Sequence, residues 1–284
     1  DEIITSRITN LTTPKFAVFG PQSPSPIRKT SDNGAVSTGL SAGDDPARYG
    51  AWGNPYYSDN TQKRLSNTSG YRAKSYGGTV GFDTKTNDET VLGAAFTLVR
   101  TDVKHKDFKA GDTTKIDSMI FSLYGVKQIN DKWFTQGVVS FGSAKVKGSE
   151  KRFHTNTITE IAKARYNSTS YAGDFIAGYN HVLNNNVVIN PIGGLGYTLV
   201  NDKKYKESGT THQNLYVTRK ASQRLELIAG LRGVFRPFNI NNTEVTTELH
   251  SFVRHDLIGK DPKVQIKHEG ASNGTGLIPV NKSK

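Results

Sequence analysis

Side chains alternate with a period of two through the stretch from Tyr76 to Lys104. Tyr76, Val80 and Phe82 share one parity, while Gly77, Thr79, Gly81 and Asp83 share the other. Past the polar connection Thr84 to Glu89, Leu92, Ala94, Phe96 and Leu98 again share a parity. Successive strand residues point to opposite faces, so each half is a ribbon with one apolar and one small or polar face. The compact polar connection between them is a turn signal. The stretch reads as an antiparallel hairpin.

The same pattern recurs along most of the chain. In the next ribbons Met119, Phe121 and Leu123 alternate with serines, and Trp133, Val139 and Phe141 oppose Gln136 and Ser140. Further on, Phe175, Ala177 and Tyr179 oppose Asp174. In the stretch from Arg224 to Arg236, Leu225, Leu227, Ala229, Leu231 and Phe235 form one apolar face. Its opposite parity holds Arg224, Glu226, Arg232 and Arg236. Nine ribbons are counted this way, with residues 263–269 either a tenth or a loop ribbon.

Two features choose among all-β architectures. Connections near Thr84, Gln128, Asn184 and Asn239 are tight, whereas those near Asn60, Lys109, Ser149 and Lys206, and beyond Gly259, are long and charged. Successive antiparallel strands put alternate connections at opposite ends, so one rim carries turns and the other loops. Outer-membrane barrels show that asymmetry. Aromatic residues also recur near ribbon ends (Trp52, Tyr56, Tyr71, Tyr76, Trp133, Tyr171, Tyr179, Tyr197 and Phe235), as interfacial girdles require. A soluble β-sandwich would instead give each ribbon one half-solvated face.

The reading is an all-β antiparallel transmembrane barrel. Val80, Phe82, Phe96, Met119, Phe121, Leu123, Phe175, Tyr179, Leu225, Leu227, Leu231 and Phe235 are expected to face lipid. Asp83, Asp174, Arg224, Glu226, Arg232, Arg236, Glu244, Glu248 and Arg254 are expected to line the lumen. An arginine in place of Leu227 should then be costly, and one in place of Ile228, on the lumen parity, milder.

Composition closes off other classes. The chain has no cysteine, which excludes a disulfide scaffold and Cys-based zinc sites. Mean hydropathy is -0.54, which does not argue against a barrel, because half of each strand faces the lumen. The net charge of +12 comes from lysines dispersed among loops, with no nucleic-acid-binding fold signature. Anionic lipid headgroups or a host surface account for loop lysines more simply. His250 and His255 fall on opposite strand faces, and no metal site, cofactor site or nucleophile–base–acid set is expected.

Residues 1–13 place Ile3, Ile4, Ile8 and Leu11 at helical spacing, and residues 14–47 read as a Pro/Gly/Ser-rich linker before a barrel over 48–284. The order of motifs resembles the C-terminal translocator β-domain of autotransporters, the type V secretion family. The residues ITSRITNL are similar to that family's pore-helix ending, and RYGAWGNPYY to its first strand. Gly77, Gly81, Phe82 and Asp83 fit its Gly-x-x-x-Gly-Φ-Asp pattern. The Lys-rich loops and Asn-rich turns most resemble the rickettsial surface cell antigen group with outer membrane proteins A and B.

That resemblance implies twelve strands, a pore helix whose Arg7 pairs with lumen acids, and outer-membrane location with long loops at the cell surface. It also implies an N-terminal passenger, barrel-assembly machinery and, through the passenger, a host surface as partners. Nine ribbons against twelve lead to the expectation that the last strands are missing. A transport module, not an enzyme, is the reading, with a porin-like channel or a barrel adhesin acting through its loops as the alternative.

Overall fold

The computed structural model describes residues 49–64, 69–87, 89–153, 159–184, 186–235, 238–240, 243–245, 247–260, 263–269 and 275–279. The expected helix segment 1–13 and linker 14–47, with Arg7, lie outside the described residues, as does Arg236. No described helix is long and apolar enough to cross a membrane.

Six long strands open the chain: β1 (Tyr49–Gln62), β2 (Tyr71–Asn87), β3 (Thr90–His105), β4 (Thr113–Gln128), β5 (Trp133–Phe153) and β6 (Thr159–Tyr179). Then come β7 (His181–Asn184), β8 (Val187–Asp202), β9 (Tyr205–Lys206), β10 (Leu215–Arg219) and β11 (Ser222–Phe235). The last are β12 (Phe238–Ile240), β13 (Thr243–Val245), β14 (Glu248–Lys260), β15 (Lys263–His268) and β16 (Thr275–Pro279). A ten-stranded sheet runs β1-β2-β3-β4-β5-β6-β8-β11-β14, with β7 continuing the line of β6 against β8. Neighbouring strands in it pair antiparallel throughout, so the ladder is local and continuous. Among the described residues β1 and β14 are its edges.

Register carries the parity from strand to strand. Phe82 stands opposite Ala94, Phe96 opposite Phe121, Phe121 opposite Phe141, and Phe141 opposite Tyr171. Directly opposed residues share a face, so these side chains make one continuous apolar band. They are exposed, Val80 at 62% and Phe175 at 60%. The other expected lipid-facing residues lie on the same face; among them Tyr179 and Leu225 are half-buried.

The short turns are built by asparagine. The side-chain oxygens of Asn87, Asn130 and Asn184 each accept a backbone N–H two residues on, at 3.0, 2.9 and 2.9 Å. This Asx geometry closes a turn without glycine.

Two sequence expectations change and one open alternative is decided. The long polar connection expected around Ser149 is largely strand, because β5 runs on through Phe153 and β6 begins at Thr159. Polar residues hide these strand extensions, because beyond the bilayer neither face must be apolar. For residues 263–268, expected as either a tenth strand or a loop ribbon, the structure gives the second: β15 pairs with β10 in a separate sheet of order β16-β15-β10-β9. Ile228 is fully buried, packed with Ile176 and Ile192 on the inward face. A charge there would meet close-packed side chains, not water.

Leu227→Arg is expected to cost about 2–4 kcal/mol at mid-bilayer, and Ile228→Ala about 2–4 kcal/mol through its cavity. Urea unfolding in lipid vesicles measures both. A neutral Ile228→Ala would mean that the inward cluster contributes nothing.

Candidate pore and its mouth

The inward face alternates polar pairs with buried apolar clusters. Hydroxyl pairs bridge adjacent strands at Ser75–Thr101, Thr79–Thr97 and Ser122–Ser140, at 2.8, 2.8 and 2.7 Å. Each pair satisfies itself, which lets polar groups sit on a confined surface without penalty. Large rings fill the spaces between. Trp52 lies over Gly81, Tyr124 over Gly93, Phe134 over Gly178 and Phe252 over Gly230. Each ring and glycine are directly opposed in register. A Cβ at Gly93 would fall 2.3 Å from the Tyr124 ring. Aromatic cover of a cross-strand glycine pins register while the glycine leaves space for the ring.

Two clamps cross this face. The Trp52 indole N–H donates to Tyr124 Oη at 2.8 Å, and Tyr124 donates to Asp83 Oδ2 at 3.0 Å. On a flat sheet β1 and β4 would stand about 14 Å apart, at about 4.8 Å per strand. Side chains meet across that span because the sheet curls toward them. Trp52, expected in the outer girdle, is thus an inward residue with 4% exposure. Its place near a strand end suggested an interface, but parity sends it inside.

The second clamp joins β14 to β6. Arg254 donates to Glu226 at 3.3 Å and to Asp174 at 3.1 Å. Arg224 stands 3.5 Å from both Glu226 and Asp256. Gly196 lies between, directly opposite both Asp174 and Glu226. A Cβ there would approach Asp174 Oδ1 to 2.6 Å and Arg254 Nη1 to 3.4 Å, so the missing side chain leaves the passage through which Arg254 reaches.

The expected lumen residues therefore fall into separate groups. Asp174, Arg224, Glu226 and Arg254 come together in one charged cluster, while Asp83 is in the aromatic clamp. Arg232 is buried at 1% exposure in register with Asn190 and His250. The side chains of Glu244 and Glu248 lie outside the described residues; the backbone of Glu248 registers opposite Val234. Sequence reasoning passed over Tyr124, although its parity with Ser122 marks it as inward. Among the described residues no His, Asp and Glu side chains group as metal ligands would.

At the long-loop rim the β5–β6 hairpin projects, and loops pack on its inward parity. Tyr205 stacks on Tyr166 with ring centroids 4.6 Å apart, and Arg219 caps the pair while donating to Tyr166 Oη and Asp202 at 3.1 and 3.0 Å. Arg152 donates to Glu150 at 2.7 Å and to Glu207 at 3.1 Å, and Lys109 lies 3.9 Å from Glu150. Lys206 pairs with Glu269 at 2.6 Å, tying β15 to the same assembly. No sequence signal links Arg152 to Glu207, because only the folding of the loop over the hairpin brings them together.

Burial and charge oppose each other in this cap. Burial pushes the Glu207 carboxyl above its usual range, and pushes the Tyr205 hydroxyl up to about 12. Burial also acts to raise Glu150, but Arg152 and Lys109 outweigh it and hold Glu150 below its usual range. The contribution of Glu150 is complete above the unfolded carboxylate range near 4.3 and is lost as pH falls through its lower folded value. Glu207 has the opposite sign: its cost is present above its raised folded value and vanishes below the unfolded one.

Acidification should therefore neutralise Glu207 first and leave the cap in place until Glu150 titrates. Hydrogen-exchange protection of residues 203–221, corrected for the intrinsic pH dependence of exchange, should hold while Glu207 is neutralised and fall only once the pH drops below the unfolded carboxylate range near 4.3. Arg152→Ala should accelerate it at neutral pH. Tyr124→Phe, which removes the hydroxyl joining Trp52 to Asp83, should cost about 1–3 kcal/mol in the same unfolding measurement, with wild-type secondary structure.

The autotransporter β-domain sequence model matches residues 51–282. Outer membrane protein B of Rickettsia rickettsii is 36% identical over 244 residues, which is 84% of this chain and 15% of that protein. Outer membrane protein A of Rickettsia conorii is 34% identical over 252 residues, covering 86% of this chain and 12% of that protein. The chain thus spans about a seventh of the relatives it matches. Among solved structures, the translocator domain of the autotransporter NalP from Neisseria meningitidis superposes with a TM-score of 0.55 at 20% identity, covering 74% of each chain. That likeness is one of fold, the antiparallel outer-membrane barrel. With an inward face of self-satisfied polar pairs, an outward apolar band and this match over most of its length, the chain belongs to the autotransporter β-domain family of the bacterial outer membrane.

Proposed function

We propose that this domain anchors a surface antigen in the outer membrane and supports export of an N-terminal passenger through its lumen. The polar inward face carries the reading. Paired hydroxyls and the Asp174–Arg254–Glu226 cluster would keep an extended passenger hydrated, while the apolar inward side chains are buried against one another. Transport of this kind needs no catalyst, and the domain acts as a conduit and anchor. Residues 1–13 are proposed to occupy the lumen as a helix, with Arg7 facing Asp83, Asp174 and Glu226 and, further along, Glu244 and Glu248. Arg224, Arg232, Arg236 and Arg254 are proposed to supply the opposing charge along the same wall. Barrel-assembly machinery is the proposed insertion partner, and a host-cell surface the proposed target of the passenger.

A second reading draws on the folded loop sheet. Strands β9, β10, β15 and β16 pair into a sheet of their own outside the barrel ladder, which a barrel adhesin acting through its own loops would use as its binding element.

Single-channel conductance of the intact protein in planar bilayers separates the two. Deleting Asp1–Leu11 should raise conductance, and Arg7→Glu should raise it in part. Unchanged conductance after the deletion would remove the helix from the lumen and favour the adhesin reading.

A further inference from the structure

The outward face just beyond the apolar band carries cations that the rest of the barrel does not explain. Lys115 on β4 stands directly opposite Lys147 on β5, and Lys147 directly opposite Arg165 on β6. All three side chains are exposed. Like charges opposed on adjacent strands destabilise a sheet. Nearer β1 the outward cations are neutralised, Arg72 by Asp59 at 2.6 Å and Arg100 by Asp117 at 2.5 Å. On the β4–β6 row no such ion pair is present among the described residues; Asp102 registers opposite Lys115, and Asp117, already held by Arg100, lies within electrostatic reach of Lys115 and Lys147, leaving the row with a net excess of positive charge. At the short-turn rim Lys127 is exposed on the same outward parity, but Thr90 and Thr135 stand opposite it, not further cations.

Height and direction identify the partner. The row shares the outward parity of Met119, Phe141 and Tyr171, so it looks sideways along the barrel flank, where lipid stands. A soluble polyanion approaching the surface would meet the loop tips first. From Met119, Phe141 and Tyr171, the nearest residues of the apolar band, the row lies four to six residues further on, which is about 13–20 Å along the strand at about 3.3 Å per residue; Phe153 and Ile161 are exposed outward beyond it. A strand tilt of about 40° reduces this to roughly 10–15 Å above the band. The polar zone of a simple bilayer adds only about 5–8 Å per side. Long side chains bend toward the membrane and recover part of the difference. A headgroup that itself stands tall supplies the rest.

We propose that Lys115, Lys147 and Arg165 form a lateral binding site for the phosphate groups of a sugar-headed membrane lipid. The two lysines act as point charges and Arg165 as a bidentate donor to phosphate oxygen. The bound anion would relieve the repulsion built into the row, so lipid binding and stability of the β4–β6 region are coupled. This site rests on the membrane-barrel reading above.

The test extracts the full-length protein from its membrane in mild detergent and measures co-purified lipid by mass spectrometry. The combined variant Lys115→Gln, Lys147→Gln and Arg165→Gln should lose phosphorylated glycolipid about tenfold or more, whereas Lys115→Arg with Lys147→Arg should retain it. Lys127→Gln, at the other rim, should change nothing. Unchanged retention in the triple variant overturns the proposal, as does a loss confined to glycerophospholipid or to soluble sulfated polysaccharide. Should the triple variant fail to assemble, wild-type protein is offered vesicles containing the glycolipid with or without its phosphates. Equal binding to both then overturns the site. Failure of wild-type protein to partition with membranes would instead sink the barrel reading itself.

Discussion

Everything in this domain follows from the demand that backbone N–H and C=O groups be satisfied where no water can reach them. A strand in hydrocarbon cannot leave its polar groups open, at several kcal/mol for each orphan. Local antiparallel pairing meets the demand with the shortest connections. Nine long strands joined neighbour to neighbour are the result. The pairing fixes parity, and parity divides every strand between lipid and interior.

The interior solves a different problem. A polar wall is stable only if its groups find partners, and a narrow one must be filled without being blocked. Hydroxyl pairs, rings laid over opposed glycines and two long-range clamps meet both needs. The clamps are complementary in chemistry: one is an indole–phenol–carboxylate chain, the other an arginine shared between two carboxylates. Both close distances that curvature alone makes available. Glycine at 196 is therefore as much a part of the charged cluster as the residues that bear its charge.

Beyond the bilayer the rules relax. The β5–β6 hairpin continues because its backbone pairing remains favourable, while its side chains become free to bind loops. There Arg152 and Arg219 gather carboxylates and tyrosines into a cap over the inward face. Glu150 and Glu207 share Arg152 yet titrate in opposite directions, because Glu150 has a second cation nearby and Glu207 is held by burial.

The sequence by itself determined which residues of each strand share a face, because a period of two survives any register that respects it. Phe96, Phe121 and Leu227 were legible for that reason, as were the asparagine turns and the sorting of short and long connections. What only the tertiary structure decided concerns meetings between strands that are not neighbours. Trp52 looked like a girdle residue until curvature brought Tyr124 beneath it, and Ile228 looked solvated until Ile176 and Ile192 closed around it. Residues 263–268 alternate as a barrel strand does, yet pair with β10. Alternation records that a strand has two faces; which strand lies beside it is set by chain connectivity and the competition for open edges. Those are properties of the assembled sheet.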